Sequence, residues 1–293
     1  MKSGVVFWLT LQTVLAVSED SVVWYQMDLN PVYIHSGDYA GKGLQDSLDE
    51  ILIETLRDSG YTVETTVSNV ARIMNDLESK KQVACGGLLQ YGDETEDPRF
   101  YSSLPHTLTS SVGVVVLEEE YHRFVPYLDS AEKIDLSGLL MENDAVLGIA
   151  AHRQYYRFID SLIDSYAGQD RIYVRSGEDL SSGLFQMLIH RRIDYTLMFP
   201  WEASYTKGDL GYENRAIRCI PVQNVPEYVF AVMAAPRNEW GRKIIEIANE
   251  RILEVRNTSK YHRINEYWLS EAERERYRGF IREYYTLEEN YWE

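Results

Sequence analysis

The sequence predicts an α/β fold built as two lobes. Three observations carry that prediction. Short β-branched or aromatic runs alternate with stretches of helical apolar spacing. The alternation restarts after about residue 118, and a strand with further helices follows late, from Tyr228. Strand-helix alternation argues for parallel sheets with crossover helices. The 293 residues are enough for one large domain or two moderate ones, and 45% hydrophobic with 26% charged residues excludes a disordered or collagen-like chain.

The elements follow in order. Lys2 precedes an uncharged apolar stretch, Gly4 to Val17, which ends in Ala16-Val17-Ser18 before acidic Glu19 and Asp20. A basic start, an apolar run and small residues at the end predict a secretory signal peptide over residues 1–18. The run is shorter than the about 20 residues of a spanning helix. The mature chain is therefore expected from Glu19 onward, periplasmic or otherwise extracytoplasmic. SVVWYQM from Ser21 reads as a strand and Asn30-Pro31 as a turn. Leu44, Leu48, Ile51, Leu52 and Leu56 have helical spacing, closed by Gly60. YTVETTV from Tyr61 is a strand, and Ser68-Asn69 caps a helix carrying Val70, Ile73, Met74 and Leu77. VACGGLL from Val83 is a strand ending in Gly86 and Gly87, and Tyr91 to Phe100 is polar and irregular. SSVGVVVL is a strand ending at Glu118. Then come AVLGIAA, a helix from Arg153 to Tyr166, RIYV, a helix from Leu180 to His190, IDYTLMF, AIRCIPV and YVFAVMAA. Helices over Trp240 to Val255 and Ser270 to Tyr285 close the chain. This order predicts a discontinuous first lobe, 19–111 plus 230–293, around a second lobe of 112–229.

Lys plus Arg number 29 against 46 Asp plus Glu, a net charge of −17 with no basic cluster. That excludes nucleic acid as a partner, since such binding rests on counterion release by cationic side chains. Cys85 and Cys219 are too few for a disulfide scaffold or a four-thiolate zinc site; one disulfide or two buried thiols both remain open. The chain lacks Gly-x-Ser-x-Gly, His-Glu-x-x-His and the P-loop pattern, and its six histidines show no metal-ligand spacing. No catalytic residue, metal or cofactor is expected. Glu118 to Glu120, beside Tyr121 and His122, form an acidic patch that reads as a solvated strand end.

Three phrases resemble bacterial extracytoplasmic solute-binding proteins of the type 2 periplasmic fold, near the polar amino-acid group (family 3). They are NPVYI leading to GKGLQDSLDEIL, the strand-helix-strand run from Ala145 to Val174, and LFQMLIHRRIDYTLMFP. The resemblance spans about Val22 to Leu269. It implies two lobes hinged by crossings at about Val112–Leu117 and Tyr228–Ala234, closing on a solute. It also implies a monomer working with a membrane permease, as in ABC transport, or with a sensor. Two anchors of the family's amino-acid binders are missing. Glu96 or Thr95 stands where an Arg would grip the ligand carboxylate, with Arg99 displaced, and Phe199 stands where an Asp would hold the amine. A standard α-amino acid is therefore not the expected ligand; the expected one is small and polar or anionic.

The positions the resemblance marks for the ligand are Tyr33, Gly86, Gly87, His152, Arg153, Tyr155 and Trp201. Tyr33 and Trp201 are either aromatic walls or packed side chains. The two glycines permit close backbone approach or serve a turn. Arg153, expected at a helix start, suits a planar anionic acceptor; the alternative is pairing with an acid such as Asp160. On the binding reading, Arg153→Ala lowers affinity and leaves the unliganded protein's stability little changed. Asp194 is expected to be a structural turn residue. Two other readings stay open: a dehydratase-like enzyme using Glu202 as its acid, and an interaction protein that keeps the fold without a ligand.

Overall fold

The computed structural model describes residues 20–79, 81–89, 97–142, 144–151, 153–166, 168, 170–176 and 179–285. The expected signal peptide, Thr95, Glu96 and His152 lie outside them. In chain order the elements are β1 (Ser21–Met27), α1 (Asp46–Asp58), β2 (Thr62–Ser68), α2 (Val70–Glu78), β3 (Val83–Leu89), β4 (Arg99–Tyr101), β5 (Thr107–Ser110) and β6 (Gly113–Leu117). Then follow α3 (Leu136–Glu142), β7 (Leu147–Ala150), α4 (Arg157–Ser165), β8 (Ile172–Arg175), α5 (Leu180–Ile189), β9 (Tyr195–Met198) and α6 (Pro200–Asp209). The last elements are β10 (Ile217–Pro221), β11 (Tyr228–Pro236), α7 (Glu239–Val255), α8 (Ser259–Asn265) and α9 (Glu271–Tyr285).

Two sheets result. The first runs β2-β1-β3-β11-β4, with β5 also paired to β11; the second runs β10-β6-β9-β7-β8. β1 is parallel to β2 and β3, whereas β11 is antiparallel to β3, β4 and β5. In the second sheet β7 is parallel to β8 and β9, and β6 is antiparallel to β9 and β10. The chain passes between the sheets just before β6 and just before β11. The residues expected to be crossings are thus strands of one sheet each, and the changes of sheet fall at 111–112 and 222–227.

Side-chain alternation explains the layering. On β1, Val22 and Trp24 enter the core made with Leu52, Ile53 and Leu56 of α1 and Ile244, Ala248 and Ile252 of α7. Tyr25 and Met27 enter the opposite core, with Ile73 and Leu77 of α2. Period-two strands covered on both faces are apolar throughout. β6 repeats the pattern, with Val114 and Val116 in one core of the second sheet and Val115 and Leu117 in the other. Asn69 caps α2 as expected, its side chain accepting from the Arg72 N–H.

The acidic run at Glu118 is a short 3-10 turn tied down by arginines. Glu118 pairs with Arg218, Glu119 with Arg191 and Arg215, and Glu120 with Arg123 and Arg191. Asp194 is structural, accepting from Arg123 at 2.6 Å and from the Val146 N–H at 2.7 Å. Cys85 lies in β3 and Cys219 in β10, in different sheets, and both thiols are free. Burial pushes both thiols above their ordinary value, with Asp49 adding to it at Cys85 and Glu273 at Cys219.

α8 carries a buried histidine. His262 is 1% exposed and its Nε2 meets the Arg256 carbonyl at 2.5 Å. Burial pushes its pKa down to about 4. A depressed histidine favours the folded state above its unfolded value of about 6.5, and that stability is lost as pH falls, because the unfolded chain takes up the proton first. The loss between pH ~7 and ~5 is expected to be about 2 kcal/mol. Urea midpoints of wild type and His262→Gln at the two pH values check this; a variant with the wild-type slope would refute it.

Candidate functional site

Ligands of open α/β sheets sit beyond the carboxyl ends of the strands. In the second sheet those ends carry Arg153 after β7 and Phe199 after β9. Arg153 does not start a helix: α4 begins four residues later, at Arg157. The segment before it is fixed by the Tyr155 N–H donating to Asp160 Oδ1 at 3.0 Å and by the Ala150 N–H donating to the Tyr155 hydroxyl at 3.0 Å.

The Arg153 guanidinium is matched by an acid of its own lobe. Nη1 and Nη2 donate to Glu202 Oε1 and Oε2 at 2.6 and 2.7 Å. Ser181, in the first turn of α5, donates to Oε1 at 2.5 Å, and the Phe199 N–H donates to Oε2 at 3.2 Å. Burial works to raise the Glu202 carboxyl, but the Arg153 charge and these donors outweigh it and hold the group below its ordinary value. Desolvation opposes the Arg153 charge, and Glu202 more than restores it. Tyr155 and Phe199 flank the guanidinium, with ring centroids 5.1 and 5.8 Å away. Pro200 and Glu202 are the first and third residues of α6, positions suited to a helix start. An ionised, arginine-paired Glu202 has no proton to give, so this state does not fit the acid of a dehydratase.

Trp201 is buried, stacked on Phe199 with centroids 4.8 Å apart at 15°. It joins Leu44 of the first lobe and Tyr277 and Ile281 of α9 in one cluster. Nearby, Tyr39, between β1 and α1, packs edge-on against Tyr205 of α6 at 6.0 Å and Trp268 at 5.0 Å. The two lobes therefore touch through aromatic rings. α9 lies across the crossings: Phe280 stacks on Tyr228 at 4.1 Å, and Arg276 approaches Glu227 and Glu132. Beneath it, Ser111, Gly113, Cys219, Tyr228 and Glu273 line a cavity of about 30 Å³, room for little more than water.

The first lobe holds a second polar cluster, inside its core. Asp49, on the buried face of α1, accepts from Trp24 Nε1 at 2.7 Å, Tyr33 Oη at 2.5 Å and His106 Nε2 at 2.9 Å. Tyr33 is thus a core residue here, 0% exposed, with its hydroxyl engaged. Gly86 and Gly87 serve the same cluster. A Cβ on Gly86 would stand 2.3 Å from Asp49 Oδ1, and one on Gly87, at φ +68°, would stand 2.8 Å from Gln45. Arg99 is also engaged, at 2.6 and 2.9 Å from the Asp97 carboxylate.

The structure thus brings Arg153, Tyr155 and Trp201 to one edge of the second lobe and places Tyr33, Gly86 and Gly87 in the first lobe's core cluster. Sequence reading missed Ser181, Asp49, His106 and Trp24. Asp49 had a signal: it falls on the apolar face of its helix, between Leu48 and Leu52. Among the described residues no group of three or more His, Cys, Asp or Glu can hold a metal ion. Among them no helix is long and apolar enough to cross a membrane.

No protein-family model and no curated protein matches the chain. Solved structures do. The probable amino-acid ABC transporter extracellular-binding protein YtmK from Bacillus subtilis aligns with 86% of this chain and 98% of its own, at TM-score 0.60 and 12% identity. The periplasmic VFT2 domain of Bordetella pertussis BvgS aligns over 85% and 94%, at TM-score 0.56 and 15% identity. An ancestral amino-acid-binding protein, described as a precursor of cyclohexadienyl dehydratase, aligns over 86% and 96%, at TM-score 0.55 and 14% identity. The chain has the two-lobed type 2 periplasmic-binding fold.

Proposed function

We propose that this chain is an extracytoplasmic solute-binding protein. Residues 1–18 direct export. The lobes 19–111 plus 230–293 and 112–229 hinge on a small polar solute and present it to a membrane permease or a sensor. The observation that carries this reading is the gathering of Arg153, Tyr155, Ser181, Phe199 and Glu202 at the carboxyl edge of the second sheet, beside the inter-lobe contact at Trp201 and Leu44. Similar solved structures include a transporter's extracellular-binding protein and a periplasmic VFT domain, which supports binding over other uses of the fold. In this reading Arg153, Tyr155 and Trp201 border the solute, and His152 is included from its place in the sequence alone. The solute is not a standard α-amino acid: Phe199 replaces the amine's acid, and Arg99 is held by Asp97.

The test is a thermal-shift screen of the mature chain against amino acids, amines, sugars, polyols and nucleosides. A solute at about 100 times its Kd adds about 2.7 kcal/mol, read as a melting point several degrees higher. A flat profile across the whole panel would overturn the proposal in favour of a protein that keeps the fold without a ligand.

A further inference from the structure

The Arg153 cluster is built as an anion receptor. Two guanidinium N–H groups, the Ser181 hydroxyl and the Phe199 backbone N–H converge on a single pair of oxygens. Planar, bidentate donation by arginine is the geometry that recognises a carboxylate. Aromatic rings beside the guanidinium reduce its contact with water. Yet the carboxylate belongs to the chain itself, from the first turn of α6, and its side chain is only 5% exposed.

We infer that Glu202 fills this receptor in cis and that the cleft therefore selects uncharged or cationic solutes and rejects carboxylates. A free carboxylate would have to displace a tethered one, whose effective concentration is high because its attachment keeps it at the site. A carboxylate bound beside the pair would meet the Glu202 charge, while the face of the Arg153 fork suited to bidentate donation is already taken. The long-range field acts in the same direction: a net charge of −17 repels anions and draws cations. The inference rests on the proposed binding function only for the cleft's role.

The experiment uses the mature chain and sodium acetate, whose heavy atoms match the group that Glu202→Ala removes. Acetate is expected to raise the melting point of Glu202→Ala by several degrees. Sodium chloride at equal ionic strength is expected not to, nor acetate with wild type or with the Arg153→Ala/Glu202→Ala double variant. A folded Glu202→Ala that ignores acetate, or a double variant that responds equally, overturns the inference. If Glu202→Ala is recovered only unfolded, its refolded fraction is read instead; a gain in acetate but not in chloride is expected, and equal yields overturn it. Calorimetry of wild type is the second arm: saturable sub-millimolar acetate binding that Arg153→Ala abolishes would mean the receptor is open, and none is expected. No arm uses the cleft's own solute, so an empty solute screen and a failed rescue are separable results.

Discussion

Asp49→Ala is expected to lower the unfolding free energy by about 3–5 kcal/mol, the lower part of the range for stranding three buried hydrogen-bond donors. Asp49 is fully buried and satisfies three donors from three parts of the first lobe: Trp24 on β1, Tyr33 before α1 and His106 before β5. Without it each donor is stranded away from water, at about 1–3 kcal/mol per group. Little can move in to compensate, because Gly86 packs against the carboxylate so closely that even a Cβ would not fit. Asp49→Asn keeps the shape but turns an NH2 group toward donors, so it is expected to lose stability too, though less than alanine. Urea unfolding of both variants is the measurement. A loss under about 1 kcal/mol for alanine, no more than one ordinary hydrogen bond, would mean that the three donors find other partners.

That cluster also marks how far the fold and the site were legible. β1 is read to the residue, Ser21–Met27, because its β-branched and aromatic run is covered on both faces and bounded by polar residues. α1, α2, α5 and α7 are recognised from apolar spacing, since each buries one stripe. α6 was missed because Trp201, Ala203, Tyr205 and Thr206 are buried around much of its girth, so no single apolar stripe stands out. β4 and β5 are three and four residues long, too short for a pattern; they exist because β11 offers them pairing partners. The site was partly legible for a similar reason. Arg153, Tyr155 and Trp201 follow strand ends, and the order of strands is visible in the sequence. Gly86 and Gly87 read in the sequence as points where a ligand or a turn needs close approach; the groups that approach them are Asp49 and Gln45. Which acid would meet Arg153 was not readable. Asp160 is near in sequence, yet its carboxylate serves the Tyr155 N–H, and Glu202 arrives from 49 residues away.

Arg153→Ala is therefore expected to destabilise the unliganded protein, where the sequence alone implied little change. The variant strands the Glu202 carboxylate in a buried site with only the Ser181 hydroxyl and the Phe199 N–H to answer its charge. The expected loss is about 3 kcal/mol at neutral pH, the low end for a broken buried pair, because the Arg153 side chain keeps 21% of its surface exposed. The pH dependence has a definite sign. In wild type the Glu202 carboxyl lies below its ordinary value, so its contribution is present above the unfolded value of about 4.3 and is lost as pH falls through the folded one. In the variant, burial acts without the guanidinium and raises the folded value above the unfolded one. The resulting penalty is then largest at neutral pH and is relieved as the group takes up a proton. Both changes narrow the gap on acidification. Urea midpoints of wild type and Arg153→Ala, compared at about pH 7 and about pH 4, should differ widely at the first and much less at the second. Equal midpoints at neutral pH, or a gap that stays constant, would show that Arg153 and Glu202 do not hold each other in solution.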